Sequence, residues 1–344
     1  MNLTFSFRVV ALLTVCAIIL LCASCTADAP TNEVFTTQEI TLNTEATSDG
    51  PQKGDVVDTA NDGRLRVLIA SDLHYTYLRG YYDRTRDERM QKFVDDVNAE
   101  HEKSPLDLII IAGDISLDHW GTGGSWTVDK ISDTKAFVDK FVPQLPEGVP
   151  VFILPGNHEQ YHNEQWKMIT GHSRQTYYAT EGNLFIRRDN FRETLEPNYG
   201  SYSAPDSVVD TEYIRDLMAL YPDHNVWLIA HYFHLPIQTE TFKYILRNDR
   251  VKGLFQGHTH VPWYETLNEE YGNKIIATCG SYAEPGTSPK TEEDLRNCFW
   301  GFRELNITPE AATSSYIVTE TTLKIANIEF YIPYRKVETV IFYR

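Results

Sequence analysis

Short, mainly apolar runs recur through the chain, and each stops at a polar or glycine-bearing segment. Leu65–Ala70, Leu108–Ala112, Val151–Leu154, Val226–Ala230 and Val251–Phe255 are four to six residues long, the length of a strand. Leu108–Ala112 carries no polar residue, as strands buried on both faces do in parallel sheets. Between the runs the period changes to that of a helix. Met90, Phe93, Val94 and Val97 stand at i, i+3, i+4 and i+7, with Asp87 at the favourable N-terminal end. A second helix is predicted over Lys130–Phe141 through Ile131, Phe137, Val138 and Phe141. Asp210 caps a third, with Tyr213, Ile214, Leu217, Met218 and Tyr221 on one face and Pro222 ending it.

This strand–helix–strand alternation predicts an α/β layered fold with right-handed crossovers. After His260 the period becomes strand-like in Lys274–Cys279, Phe299–Leu305, Ser315–Val318, Ile328–Ile332 and Val340–Tyr343. A second, largely antiparallel sheet packed on the first is the expectation. Residues 160–207 break the rhythm. They are polar and aromatic and read as a cap or insertion without an assigned function. Residues 75–86 are aromatic and basic, and form either a substrate-contacting loop or a surface loop packed by its own tyrosines.

The residues that follow the apolar runs carry the chemistry. Asp72-Leu73-His74 follows the first run and Gly113-Asp114 the second. Gly156-Asn157-His158-Glu159 follows the third, His231 the fourth, and Gly257-His258-Thr259-His260 the fifth. In open α/β sheets the C-terminal strand edge is where ligands sit. Asp72-Leu73-His74 alone reads as surface polarity and His231 alone as a satisfied core histidine, while Gly156-Asn157-His158-Glu159 and Gly257-His258-Thr259-His260 are each open between chance and metal; five in succession are metal-ligand chemistry. Mixed imidazole and carboxylate donors suit Mn, Fe, Zn or Co better than Ca. Of the remaining histidines, His101 reads as a solvated surface residue, and His119, His162, His172, His224 and His234 as loop or surface residues. Asp118 is a candidate acceptor for orienting a histidine, with plain exposure as its alternative.

The ordered set resembles the calcineurin-like metallophosphoesterase family over roughly residues 64–344. The resemblance implies an α/β fold of two β-sheets sandwiched by helices, and a metal-dependent phosphoric ester hydrolase. It implies that Asp72, His74 and His260 hold one metal and that Asn157, His231 and His258 hold a second, with Asp114 bridging the two. His158 would lie beside the substrate rather than on a metal, placed to protonate the leaving oxygen. The cofactor expected is two divalent transition-metal ions, Mn, Fe or Zn, acidifying a bridging water that attacks a phosphomonoester or phosphodiester. Purple acid phosphatases place a ligand tyrosine where this chain has Leu117, so a tyrosinate–iron site is not expected. The Asp-Arg-Gly of protein Ser/Thr phosphatases is absent from Ile115-Ser116-Leu117-Asp118-His119. Bacterial envelope phosphoesterases, and by motif cyclic-nucleotide phosphodiesterases, remain as the nearest branch. A surface binding protein using the same fold without turnover is the alternative.

Composition adds bounds. The chain has 344 residues and a net charge of −17, which argues against binding a nucleic-acid backbone and leaves a small phosphate ester as the expected partner. Arg8, the apolar run Val9–Leu21 and the small residues before Cys25 read as a signal segment over residues 1–24, of lipoprotein type, with lipid at Cys25 as the one tie to a membrane. Residues 25–63 read as a flexible acidic tether, and residues 64–344 as the catalytic domain. The expected location is the cell envelope. Export makes a Cys279–Cys298 disulfide possible, with two buried thiols as the alternative.

Overall fold

The computed structural model describes residues 63–344 apart from 78–83, 121–122, 181, 189–208, 283–299, 321, 326–327, 332–338 and 344. All belong to the compact unit Leu42–Arg344. The signal segment, nearly all of the tether, and Cys298 lie outside the described residues. Along the chain the first elements are β1 (Leu65–Ala70), α1 (Arg86–Lys103), β2 (Leu108–Ala112), α2 (Ser125–Asp129), α3 (Asp133–Lys140) and β3 (Val151–Leu154). There follow α4 (Asn163–Thr170), β4 (Thr176–Thr180), β5 (Asn183–Arg188), α5 (Thr211–Leu220), β6 (Asn225–Ala230), α6 (Glu240–Leu246) and β7 (Val251–Gln256). The chain ends in strands: β8 (Tyr264–Thr266), β9 (Ile275–Thr278), β10 (Gly301–Ile307), β11 (Ala312–Val318), β12 (Thr322–Ile325), β13 (Ile328–Tyr331) and β14 (Val340–Tyr343).

Two mixed six-stranded sheets result, in the orders β14-β11-β10-β1-β2-β3 and β4-β5-β6-β7-β9-β8. β1, β2 and β3 pair in parallel, as do β5, β6, β7 and β9. The expected second antiparallel sheet is corrected here. β10 joins the first sheet antiparallel to β1, β11 antiparallel to β10 and β14 antiparallel to β11, whereas the second sheet is built mainly from the parallel strands β5, β6, β7 and β9. β12 and β13 form a separate two-stranded pair. Strand period names a strand but not the sheet that receives it. Residues 160–188 are not an insertion: they supply α4 and the first two strands of the second sheet.

Alternate residues of each sheet make the shared core. Val67, Ile69, Leu108, Ile110, Phe152 and Leu154 face Phe185, Trp227, Ile229, Phe255 and Ala277. The other face of the second sheet packs Leu184, Val226, Leu228 and Leu254 against Ile214, Leu217 and Met218 of α5 and Phe242 and Ile245 of α6. Helix ends follow local chemistry. Thr85 caps α1 in a reciprocal pair with Glu88. Lys130, in the left-handed region, closes α2, and Ser132 caps α3 through Lys135 N, so the predicted helix begins three residues late. Asp210 caps α5 through Glu212 N and Tyr213 N, as the sequence predicts.

Candidate metal centre

The parallel strands β1, β2, β3, β6 and β7 release their loops toward one region, and the backbone there is unusual. Asp72, His74, Asp114, His258 and His260 all have positive φ, between 46° and 67°. L residues rarely adopt this region, and it concentrates at functional sites. Three close approaches hold the loops in place. A Cβ on Gly113 would overlap the His231 ring, one on Gly156 would overlap Asp114, and one on Gly257 would overlap Ser71.

The side chains form two groups able to hold a metal ion, in each of which the donor atoms lie within 4.8 Å of one another. Asp72, His74, Asp114 and His260 make the first; Asp114, His231 and His258 make the second. Asp114 belongs to both. Its Oδ2 lies 3.6 Å from His74 Nε2 and 3.2 Å from His231 Nε2. His260 Nε2 stands 3.2 Å from Asp72 Oδ1. Asn157 joins the second group through its amide oxygen, 3.1 Å from His231 Nε2 and 2.9 Å from His258 Nδ1. His158 belongs to neither group: its Nε2 lies 3.6 Å from Asp114 Oδ2 and its ring 5.6 Å from that of His74. The seven residues predicted as ligands are therefore together, with His158 at their side.

The donor set fits a cation. His231 Nδ1 donates to the Ala112 carbonyl at 2.7 Å, which turns its Nε2 toward the oxygens of Asp114 and Asn157, the orientation a ligating histidine takes. Burial opposes ionisation of Asp114, yet His158 and His231 outweigh it and hold the carboxyl well below its ordinary value. Asp72 is also held low against its burial, by His260 and His231. Burial likewise works against charge on His231, but Asp114 and Asp72 hold it up at about 9. Two ionised carboxylates in a dry site draw positive charge to the point between them.

Two residues that the sequence left without a role hold the loops. The Glu159 carboxylate accepts from Asp114 N at 3.0 Å, Ser116 N at 2.8 Å and Gly156 N at 2.8 Å. It thereby ties the loop after β2 to the loop after β3. Burial, with Asp114 nearby, pushes its carboxyl up to about 8 against the pull of those amides. His119 is the second, and it is buried, not a surface residue. His172 is buried as well: its Nε2 accepts from Ile153 N at 3.1 Å. Its place next to His158 in the Gly-Asn-His-Glu segment could have pointed to Glu159; nothing in the sequence marks His119 or His172. Asp118 does not orient a histidine by hydrogen bond. Its oxygens take Tyr161 OH at 2.5 Å, Ser125 Oγ at 2.6 Å, Asp133 N at 2.8 Å and Thr134 Oγ1 at 2.8 Å. Leu117 is buried and offers the site no donor. In the aromatic loop, Tyr75 OH donates to Asp87 and Arg86 lies over both Tyr75 and Tyr77, the packed-loop alternative for the residues described there.

A two-sheet sandwich with a His/Asp cluster at its parallel strand ends defines a metal-dependent hydrolase. The chain belongs to the calcineurin-like phosphoesterase family, whose family model matches residues 65–262, more than half of its length. No curated protein matches it in sequence. Among solved structures it is similar to a dimetal phosphatase from Danio rerio, with 13% identity over 81% of this chain and 98% of that one at a TM-score of 0.52. PhoD is similar at 11% identity, 80% and 73% coverage, and a TM-score of 0.51. At such identities these two share the fold.

Proposed function

We propose that this chain is an exported phosphoesterase that uses two divalent transition-metal ions to hydrolyse a phosphomonoester or a phosphodiester. The observation that carries the reading is the sharing of Asp114 by both donor groups. Asp72, His74 and His260 would hold one ion and Asn157, His231 and His258 the other, with Asp114 available to both. When bound, such a pair supplies an acidified water and neutralises the phosphoryl oxygens. The protein's own groups do the rest. His158, off both donor groups and beside Asp114, presents an imidazole that can give its proton to the departing oxygen. Glu159 keeps Asp114 and Asn157 in register through the backbone amides it accepts. A dimetal phosphatase among the similar structures supports the count of two.

The experiment compares p-nitrophenyl phosphate with bis-p-nitrophenyl phosphate on Mn-loaded protein whose metal content is measured. Hydrolysis of either supports the reading and ranks monoester against diester. Protein carrying two ions per chain and cleaving neither would instead be the binding protein.

Export rests on Arg8, the Val9–Leu21 run and Cys25. Lipid at Cys25 is the attachment to the envelope in this reading; among the described residues no helix is long and apolar enough to cross a membrane. Cells fed a labelled fatty acid should mark the protein, and Cys25→Ser should abolish the mark. An unlabelled wild type cleaved before residue 25 would contradict it.

A further inference from the structure

His158 is reached by a loop only six residues long between β3 and Tyr161, and something must fix where its imidazole stands. Part of the answer is the centre itself: its backbone N–H donates to Asp114 Oδ1 at 3.1 Å, and its Nε2 lies 3.4 Å from Asn157 Nδ2. The same loop also meets His119. The His119 backbone N–H donates to the His158 carbonyl at 3.0 Å. The His119 ring then accepts, at Nδ1, the N–H of Gln160, also at 3.0 Å. One residue thus holds the chain on both sides of Glu159, by its main chain before it and by its side chain after it.

The ring is itself fixed. It is 3% exposed, with Tyr161 edge-on at 4.6 Å and Trp126 at 6.3 Å. Burial holds its pKa down at about 4, against the pull of Asp118, so it is neutral and Nδ1 keeps its lone pair at neutral pH. Tyr161 is anchored in turn by Asp118 and Ser132. The loop after β2 and the loop after β3 are latched together at this point, far apart in sequence, and the residue directly between the two hydrogen bonds to the latch is the clamp Glu159.

We infer that His119 is the positioning residue for His158, setting the place of the leaving-group acid through the backbone on either side of Glu159. It touches neither substrate nor metal. The inference rests on the acid role proposed above for His158. His119→Phe keeps the bulk of the ring and removes the acceptor. His119→Asn restores an acceptor near Nδ1, and His119→Gln places its polar group near Nε2 instead.

The measurements are metal content, kcat and KM on an alkyl phosphate ester and on its p-nitrophenyl counterpart, and hydrogen exchange at the Gln160 amide. In His119→Phe metal content stays as in wild type. The alkyl-ester kcat falls roughly ten- to a hundred-fold, part of the 10²–10⁴ that a general acid contributes, while KM and the p-nitrophenyl rate change little. Gln160 exchange accelerates. His119→Asn recovers both kcat and exchange, and His119→Gln does not. Equal loss on both esters, unchanged Gln160 exchange, or Asn and Gln variants that behave alike would overturn the inference. Should His119→Phe fail to fold, the Asn and Gln pair makes the same comparison. His158→Ala run alongside separates the two ideas. No leaving-group dependence in that variant refutes the acid role, whereas its presence there and absence in the His119 variants refutes the latch.

Discussion

Adjacent side chains in Gly156-Asn157-His158-Glu159 face three different tasks. Asn157 turns its amide oxygen to His231 and His258, His158 points its Nε2 at Asp114 from outside the donor groups, and Glu159 turns inward to backbone amides. The first two were legible because donor types placed after apolar runs report metal chemistry directly. Glu159 and His119 were not, because their partners are main-chain atoms some forty residues away that no side-chain pattern reveals. Glu159→Ala should test the clamp. Each buried amide left without an acceptor costs roughly 1–3 kcal/mol. The freed Asp114 loop should weaken metal affinity by about 10–100-fold, the usual effect of losing a group that orients a ligand. Denaturant unfolding and a Mn titration measure the two effects. Unchanged metal affinity would mean that Asp114 holds its place without Glu159.

Strands that end in ligands were the most readable elements. Leu65–Ala70, Leu108–Ala112 and Val151–Leu154 have the bounds their apolar runs predict, since burial on both faces leaves little freedom in where they end. Sheet membership was not readable, because β10 is paired with β1 from more than two hundred residues away and period carries no information about partners. α2, α4, α6, β4, β5, β8 and β12 went unpredicted, and the Lys130–Phe141 helix was read too long, because the left-handed Lys130 looks like any lysine in sequence. At this scale Gly156 is the sharpest test. Gly156→Ala would place a methyl group on the Asp114 carboxylate and amide. The expected outcome is a folded protein, by far-ultraviolet circular dichroism, that has lost metal binding and turnover. A variant that binds metal normally would show that the two loops have room to part.

His172 connects the two sheets and gives the whole molecule an acid limit. Its Nε2 accepts from Ile153 N in β3, and its ring lies 5.7 Å from Phe152, over which Arg187 of β5 is stacked at 3.4 Å. Burial, with Arg187 adding, lowers its pKa from 6.5 to about 3. The unfolded chain therefore binds a proton there that the folded chain refuses. The stability tied to this histidine is complete above pH 6.5 and is lost as pH falls from there toward 3. At about 1.36 kcal/mol per unit the loss is on the order of 5 kcal/mol. His172→Gln, which keeps an acceptor but does not titrate, should flatten the fall in unfolding free energy between pH 6.5 and 3 relative to wild type. Parallel curves for the two proteins would mean that His172 gains a proton in the folded state as readily as in the unfolded one.

The division of labour between Asn157 and His158 is the centre of the proposed mechanism, and one paired measurement addresses it. Metal content by elemental analysis and kcat on an alkyl ester and a p-nitrophenyl ester are taken for Asn157→Ala and His158→Ala. Asn157→Ala should lose about one ion per chain, with partial recovery of rate in excess Mn. His158→Ala should keep about two ions while the alkyl-ester rate falls roughly 10²–10⁴-fold and the p-nitrophenyl rate much less. An ion lost from His158→Ala, or full alkyl-ester activity in that variant, would contradict the account.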